Sequence, residues 1–152
     1  MNRWARRHAQ TLRAPLEDDE TLLAADRVVM TAVTREDATT TDRGNRGKRI
    51  EAARAVGFPV PGPVFVIAIT DRRLLLFRAS TWLGRAGAME GEIQLENIAT
   101  VRAVRRLRSE RLAILLENRS MLVVQPLWTR RMRQLQFAFE SATHRSAGDN
   151  AP

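Results

Sequence analysis

The chain has no cysteine and no tyrosine, a single lysine (Lys48), two histidines, three tryptophans and five phenylalanines. Without thiols it can form neither disulfides nor thiolate metal sites, and a cystine-stapled extracellular scaffold is excluded. General-base or triad chemistry needs a titratable group held inside a cleft. His8 and His144 lie near the chain ends, where the sequence offers nothing to fix them, and Glu92, Glu96 and Glu117 stand singly in predicted strands. The acidic run Glu17-Asp18-Asp19-Glu20 lacks the glycine-punctuated spacing of a calcium loop and reads as a solvated patch or helix start. Gly84 and Gly87 lack the strand, helix and spacing of a phosphate loop and read as a hairpin loop. The expectation is a protein that is not an enzyme, with no cofactor and no metal.

Long apolar runs are also missing. The longest, residues 64–69, is strand-sized, far below the ~20 residues that span a bilayer, and the N-terminus has no signal-peptide core. A cytoplasmic location is expected, with a peripheral position at the inner membrane face as its refinement. What is abundant is arginine: Lys48 aside, it supplies all of the 25 basic residues, for a net charge of +8. Guanidinium forks suit phosphate, although arginine and alanine in place of lysine also fit the codon usage of a GC-rich genome. At 152 residues, 44% hydrophobic and 28% charged, the composition is that of one globular domain.

Residues 1–13 carry only basic charge and 14–20 only acidic charge, a pattern that predicts a solvated, mobile arm over 1–19. One domain is expected over 20–143, and a disordered tail over 144–152. DETLLAAD reads as a helical turn leading into the strand RVVMTAV. A polar insert follows, with a helix over KRIEAARAVG stopped at Gly57, and FPVPGP must be extended. VFVIAI and LLLF, joined at Thr70-Asp71, predict a hairpin buried on both faces. After a loop over ASTWLGRAGAME come strands in EIQLENIATV, VRAVRRLR, RLAILLEN and MLVVQPL. Turns are expected at RSER and at ENRS, where Asn118 suits the left-handed position. Trp128, Met132, Leu135, Phe139 and Ala142 recur at helical spacing behind Thr129 as N-cap, and predict a closing helix that covers a barrel end.

AITDRRLLLFR at 68–78 resembles the hairpin of bacterial pleckstrin-homology-like and GRAM-type domains. EIQLENIATV, RLAILLENRSMLVV, the final helix and LLAADRVVMTA as first strand are similar to the same template. The resemblance implies a mainly β (α+β) fold: a bent antiparallel seven-stranded barrel capped by a C-terminal amphipathic helix, here with a helical insert after the first strand. It also implies a non-enzymatic interaction module, binding an acidic protein partner or anionic membrane lipid headgroups. The candidate contacts are Arg43, Arg46, Lys48 and Arg49 in the insert, and Arg102, Arg106 and Arg108, placed on one side of a strand by period-two geometry with Val104 interrupting. Trp82 and Leu83 are the candidate membrane wedge. Association through an exposed strand edge without membrane contact is the alternative. Nucleic acid is a minor one, since few aromatics are free for base stacking.

Overall fold

The structure is a computed structural model that describes residues 1–32, 46–80, 84–127 and 132–149, without the side chains of Arg46, Arg106 and residues 145–149. Seven antiparallel strands form one sheet: β1 (Leu22–Ala32), β2 (Val64–Thr70), β3 (Arg73–Ala79), β4 (Ala86–Gln94), β5 (Ile98–Arg106), β6 (Ser109–Leu116) and β7 (Met121–Pro126). Their order is β4-β3-β2-β1-β7-β6-β5, so β4 and β5 are the edges. Helix α3 (Arg46–Ala55) lies between β1 and β2, and α4 (Arg133–Asp149) closes the chain.

Every strand, from one edge to the other, sends residues into a single apolar cluster. Val28, Phe65, Leu76, Ile93, Val101, Ile114 and Val124 meet there with Met132, Leu135, Phe139 and Ala142 of the α4 segment. Only a sheet that curls over on itself can bring both edges to one core, and α4 covers the opening. The expected stripe is therefore the covering face from Met132 onward, while Trp128 and Thr129 lie outside the described residues. The helix runs on to Asp149 instead of breaking at residue 143.

Because α4 has no acid in its first turn, its N-terminal dipole is met from the sheet. Glu110 of β6, buried, accepts the Met132 N–H at 2.8 Å and pairs with Arg133 Nε at 3.0 Å. A carboxylate there satisfies an orphan donor and opposes the dipole. Glu110→Ala is expected to cost about 1–2 kcal/mol, read as a lower urea midpoint with an unchanged slope. Farther along α4, Gln136 Oε1 accepts the N–H of Ala103 at 2.7 Å, occupying one donor of the β5 edge.

The other face of the sheet is covered by the N-terminal arm, contrary to the expected solvated segment. Helices α1 (Arg3–Arg7) and α2 (Ala9–Arg13) bury Ala5 and Leu12 against Ala25, Val66, Ala68, Leu75 and Phe77. Asn2 caps α1 and also donates to the Ala25 carbonyl, and Trp4 Nε1 donates to the Gly84 carbonyl at 3.0 Å. The β2–β3 hairpin is thus buried on both faces, as its unbroken apolar runs require.

Several local readings change. The segment EIQLENIATV is broken by a 3-10 turn at Leu95–Asn97, and Ile98–Arg106 is one strand across the expected EIQLENIATV/VRAVRRLR boundary. Residues 22–26 are strand, not helix: they pair with β2, and a bulge at Leu22–Ala24 divides their side chains between two cores, Leu22 and Ala25 in one and Leu23 and Ala24 in the other. Within the expected loop, residues 86–90 belong to β4, whose small residues pair with β3. At the β6–β7 turn the left-handed residue is Arg119 (φ 70°), not Asn118. The Asn118 side chain is committed elsewhere: Oδ1 accepts the Ser120 N–H, and Nδ2 donates to the Val56 carbonyl.

Candidate functional site: the β5–β6 turn

Arg106 pairs with Ser109 across the ladder, so β5 and β6 are joined by two residues, Leu107 and Arg108. The turn thus comes ahead of the RSER position read from the sequence. Leu107 has φ 53°, a left-handed conformation that glycine or asparagine adopts more readily than a branched apolar residue. It is also 92% exposed.

Around this tip the charge has one sign. Residues 102–111 contain Arg102, Arg105, Arg106, Arg108 and Arg111 against one acid, and that acid, Glu110, is turned inward to α4. Arg102, Arg105 and Arg108 are exposed and Arg111 is half-buried. Register puts Val104 opposite Arg111 and Arg102 opposite Ala113, so Arg102, Val104 and Arg111 share the sheet's outer face. Val104 is 46% exposed there. A surface depression of about 590 Å³ is lined by Leu107, Arg108, Ser109 and Arg111. Two guanidiniums and a hydroxyl around one hollow are donors suited to the oxygens of a phosphate.

Of the sequence candidates, Arg102 and Arg106 lie on β5, whereas Arg108 lies in the turn and not on the strand. Lys48 is exposed and Arg49 half-buried on α3. The C-terminal end of α3 is held by the Asn118–Val56 bond and by Gly57 packing near Leu116. Ser109 and Leu116 are the two ends of β6, about 23 Å apart at 3.3 Å per residue. The end of α3 and the Leu107 turn therefore sit at opposite ends of one strand. Arg43, Trp82 and Leu83 lie outside the described residues. Leu107 itself was missed by sequence reading. The available signal was a lone leucine between arginines at a two-residue strand junction.

Two other features are structural. A groove along the β4 edge passes Gly57, Glu90, Glu92 and Glu117; its charge opposes that of the tip, and Glu90 and Glu92 pair with Arg78 and Arg73. Of the acidic run, Glu17, Asp18 and Asp19 are exposed, as a solvated patch requires, whereas Glu20 is buried and clamps the β2–β3 turn. Glu20, with a side chain 0% exposed, takes Arg73 Nε and Nη2 at 3.0 and 2.8 Å and Thr70 Oγ1 at 2.7 Å. Arg73 Nη2 also donates to the Pro15 carbonyl and Nη1 pairs with Glu92. Arg72 pairs with Glu17 and Asp19. The TDRR motif that carries the family resemblance thus latches the arm to the sheet.

His8 is held by that arm, its ring 4.6 Å from Trp4. Burial, then Arg27, Arg85 and Arg7, lower its pKa. Trp4 also takes the Arg27 guanidinium at 4.9 Å, a cation–π contact; among the described residues the buried Arg27 Nε has no hydrogen-bond partner. Among the described residues no three His, Asp or Glu side chains are grouped to hold a metal ion, and no helix is long and apolar enough to cross a membrane.

These residues define a mainly β domain, a curled seven-stranded antiparallel sheet with a C-terminal helix and a basic, apolar-tipped turn. No protein-family model matches the sequence and no curated protein does. Among solved structures, the fold is similar to the hSac2 domain from the human phosphoinositide phosphatase Sac2. That match has a TM-score of 0.51 and 9% identity, over 97% of this chain and 83% of that one. At that identity it is the fold that is shared.

Proposed function

We propose that the chain is a non-enzymatic, pleckstrin-homology-like interaction module whose β5–β6 turn binds anionic lipid headgroups at a membrane surface. The observation that carries this reading is the depression lined by Arg108, Ser109, Arg111 and Leu107, with Arg102 and Arg105 exposed nearby and no outward acid among residues 102–111. Seven strands and one closing helix are what the sequence resemblance implies. The structurally similar domain comes from a phosphoinositide phosphatase, and what this chain shares with it is the fold. An acidic protein surface offers the same charge, but phosphates on a plane match a projecting turn with its cations gathered at one end.

Cosedimentation with vesicles tests this. Wild type is expected to pellet with vesicles containing phosphatidylserine or a phosphoinositide, not with pure phosphatidylcholine, and to be released by high salt. The double variant Arg108→Gln/Arg111→Gln removes two cations worth about 1 kcal/mol each near such a surface, and should bind about thirtyfold more weakly. Pelleting with neither vesicle, or capture by polyglutamate alone, would replace the lipid by an acidic protein partner or end the reading.

A further inference from the structure

Resting on that reading, we infer that the β5–β6 turn does more than lie on the headgroups: Leu107 inserts into the apolar layer beneath them. Two independent features of this residue cost stability in the free protein, one through backbone strain and one through apolar exposure to water. Its backbone has positive φ, and its side chain is 92% exposed. Such a residue contributes little to the fold, and backbone outliers of this kind gather where they serve binding. The β6–β7 turn offers an internal comparison. There too a non-glycine residue takes positive φ, and it is the polar Arg119. A left-handed turn position in this fold does not by itself call for an apolar side chain.

The neighbours fit an insertion tip. A two-residue turn ends the hairpin bluntly, so Leu107 is the outermost apolar group, with Arg108 beside it and Arg105 one step back on β5. Arginine stems lie along apolar surface while their heads stay at the polar level, and here the heads would meet phosphates just as Leu107 passes below them. The depression lined by Arg108, Ser109 and Arg111 opens next to Leu107, so a phosphate held there sits above the inserted side chain. Charge draws the turn to the surface, and burial of one leucine then adds a salt-resistant part to the affinity.

Two measurements test insertion apart from surface binding. Leu107→Gly relaxes the backbone, so its melting temperature should hold or rise, while affinity for phosphatidylserine vesicles falls roughly tenfold or more. Because the chain has no cysteine, Leu107→Cys can carry a single environment-sensitive dye, with Glu117→Cys as control at the far end of β6. On adding anionic vesicles the dye at 107 should blue-shift and be quenched by acyl-brominated lipid, and the dye at 117 should not. If wild type pellets with anionic vesicles while Leu107→Gly binds equally well and the dye at 107 stays in water, insertion is wrong and headgroup binding stands. Failure of unmodified wild type to pellet with anionic vesicles would remove both.

Discussion

Arg73→Ala is expected to destabilise the protein by about 3–5 kcal/mol, the range for breaking a buried ion pair by removing one partner. The reason is Glu20, whose side chain is 0% exposed against 13% for Arg73. Without the guanidinium, the carboxylate keeps Thr70 and the Glu17 N–H as donors but stays buried with no counter-charge. The Pro15 carbonyl and Glu92 lose the same partner. Arg73→Lys keeps the charge but not the fork that engages both carboxylate oxygens, and should lie between wild type and alanine. Replacing the pair together, Arg73→Met with Glu20→Leu, should restore most of the loss, because no charge is then left buried. Urea titrations of the four proteins check the series, and a double variant as unstable as Arg73→Ala would refute the ion-pair explanation.

The same pair sets the acid response. The hydrogen bond from Arg73, working against burial and helped by Thr70 and the Glu17 N–H, lowers the Glu20 carboxyl from its ordinary 4.5 to about 2. A lowered pKa means that the fold favours the ionised form more than the unfolded chain does. Its contribution is therefore complete above about pH 4.5, drains as pH falls through the window to about 2, and is gone below it. Wild type should lose stability steeply across that window, and Arg73→Ala should lose less across it because it has less to lose.

Gly91→Ala is expected to cost at least about 2 kcal/mol, within the range for overpacking. A Cβ at Gly91 would stand 2.5 Å from the Pro59 carbonyl oxygen and 2.7 Å from Pro59 Cγ. The segment that would have to retreat carries Phe58 and Val60, both fully buried in the main core. Backing off the loop therefore loosens two core side chains as well. Gly47→Ala is the contrast: a Cβ there meets nothing within 4 Å, and in a helix alanine should gain up to about 1 kcal/mol. Equal effects at the two positions would contradict the close approach of residue 59 to β4.

Elements whose stability comes from their own apolar residues were legible in the sequence. The runs 64–69 and 74–77 had to be strands buried on both faces, and Met132, Leu135 and Phe139 had to face a core. Elements that depend on distant partners were not. Glu20 looks as solvated as Glu17, Asp18 and Asp19, which are exposed, until the fold brings Arg73, more than fifty positions away, against it. Trp4, Ala5 and Leu12 look like parts of a loose arm because the face they cover is assembled from β1, β2 and β3. The first part of β4, AGAME, has too few large apolar residues to announce a strand, and its pairing with β3 supplies what its composition lacks. The basic strand at 101–108 was visible as a charge cluster. Its functional geometry depends on a turn placed at Leu107, which no charge count reveals.

The most direct test of where this protein meets its ligand is residue-resolved: backbone amide chemical shifts recorded while anionic lipid nanodiscs are titrated in. The largest changes should fall on residues 102–111, centred on Leu107 and Arg108, and vanish with phosphatidylcholine nanodiscs. Changes centred instead on the groove at Gly57, Glu92 and Asn118, or on the N-terminal arm, with residues 102–111 unmoved, would contradict the assignment of the β5–β6 turn as the binding site.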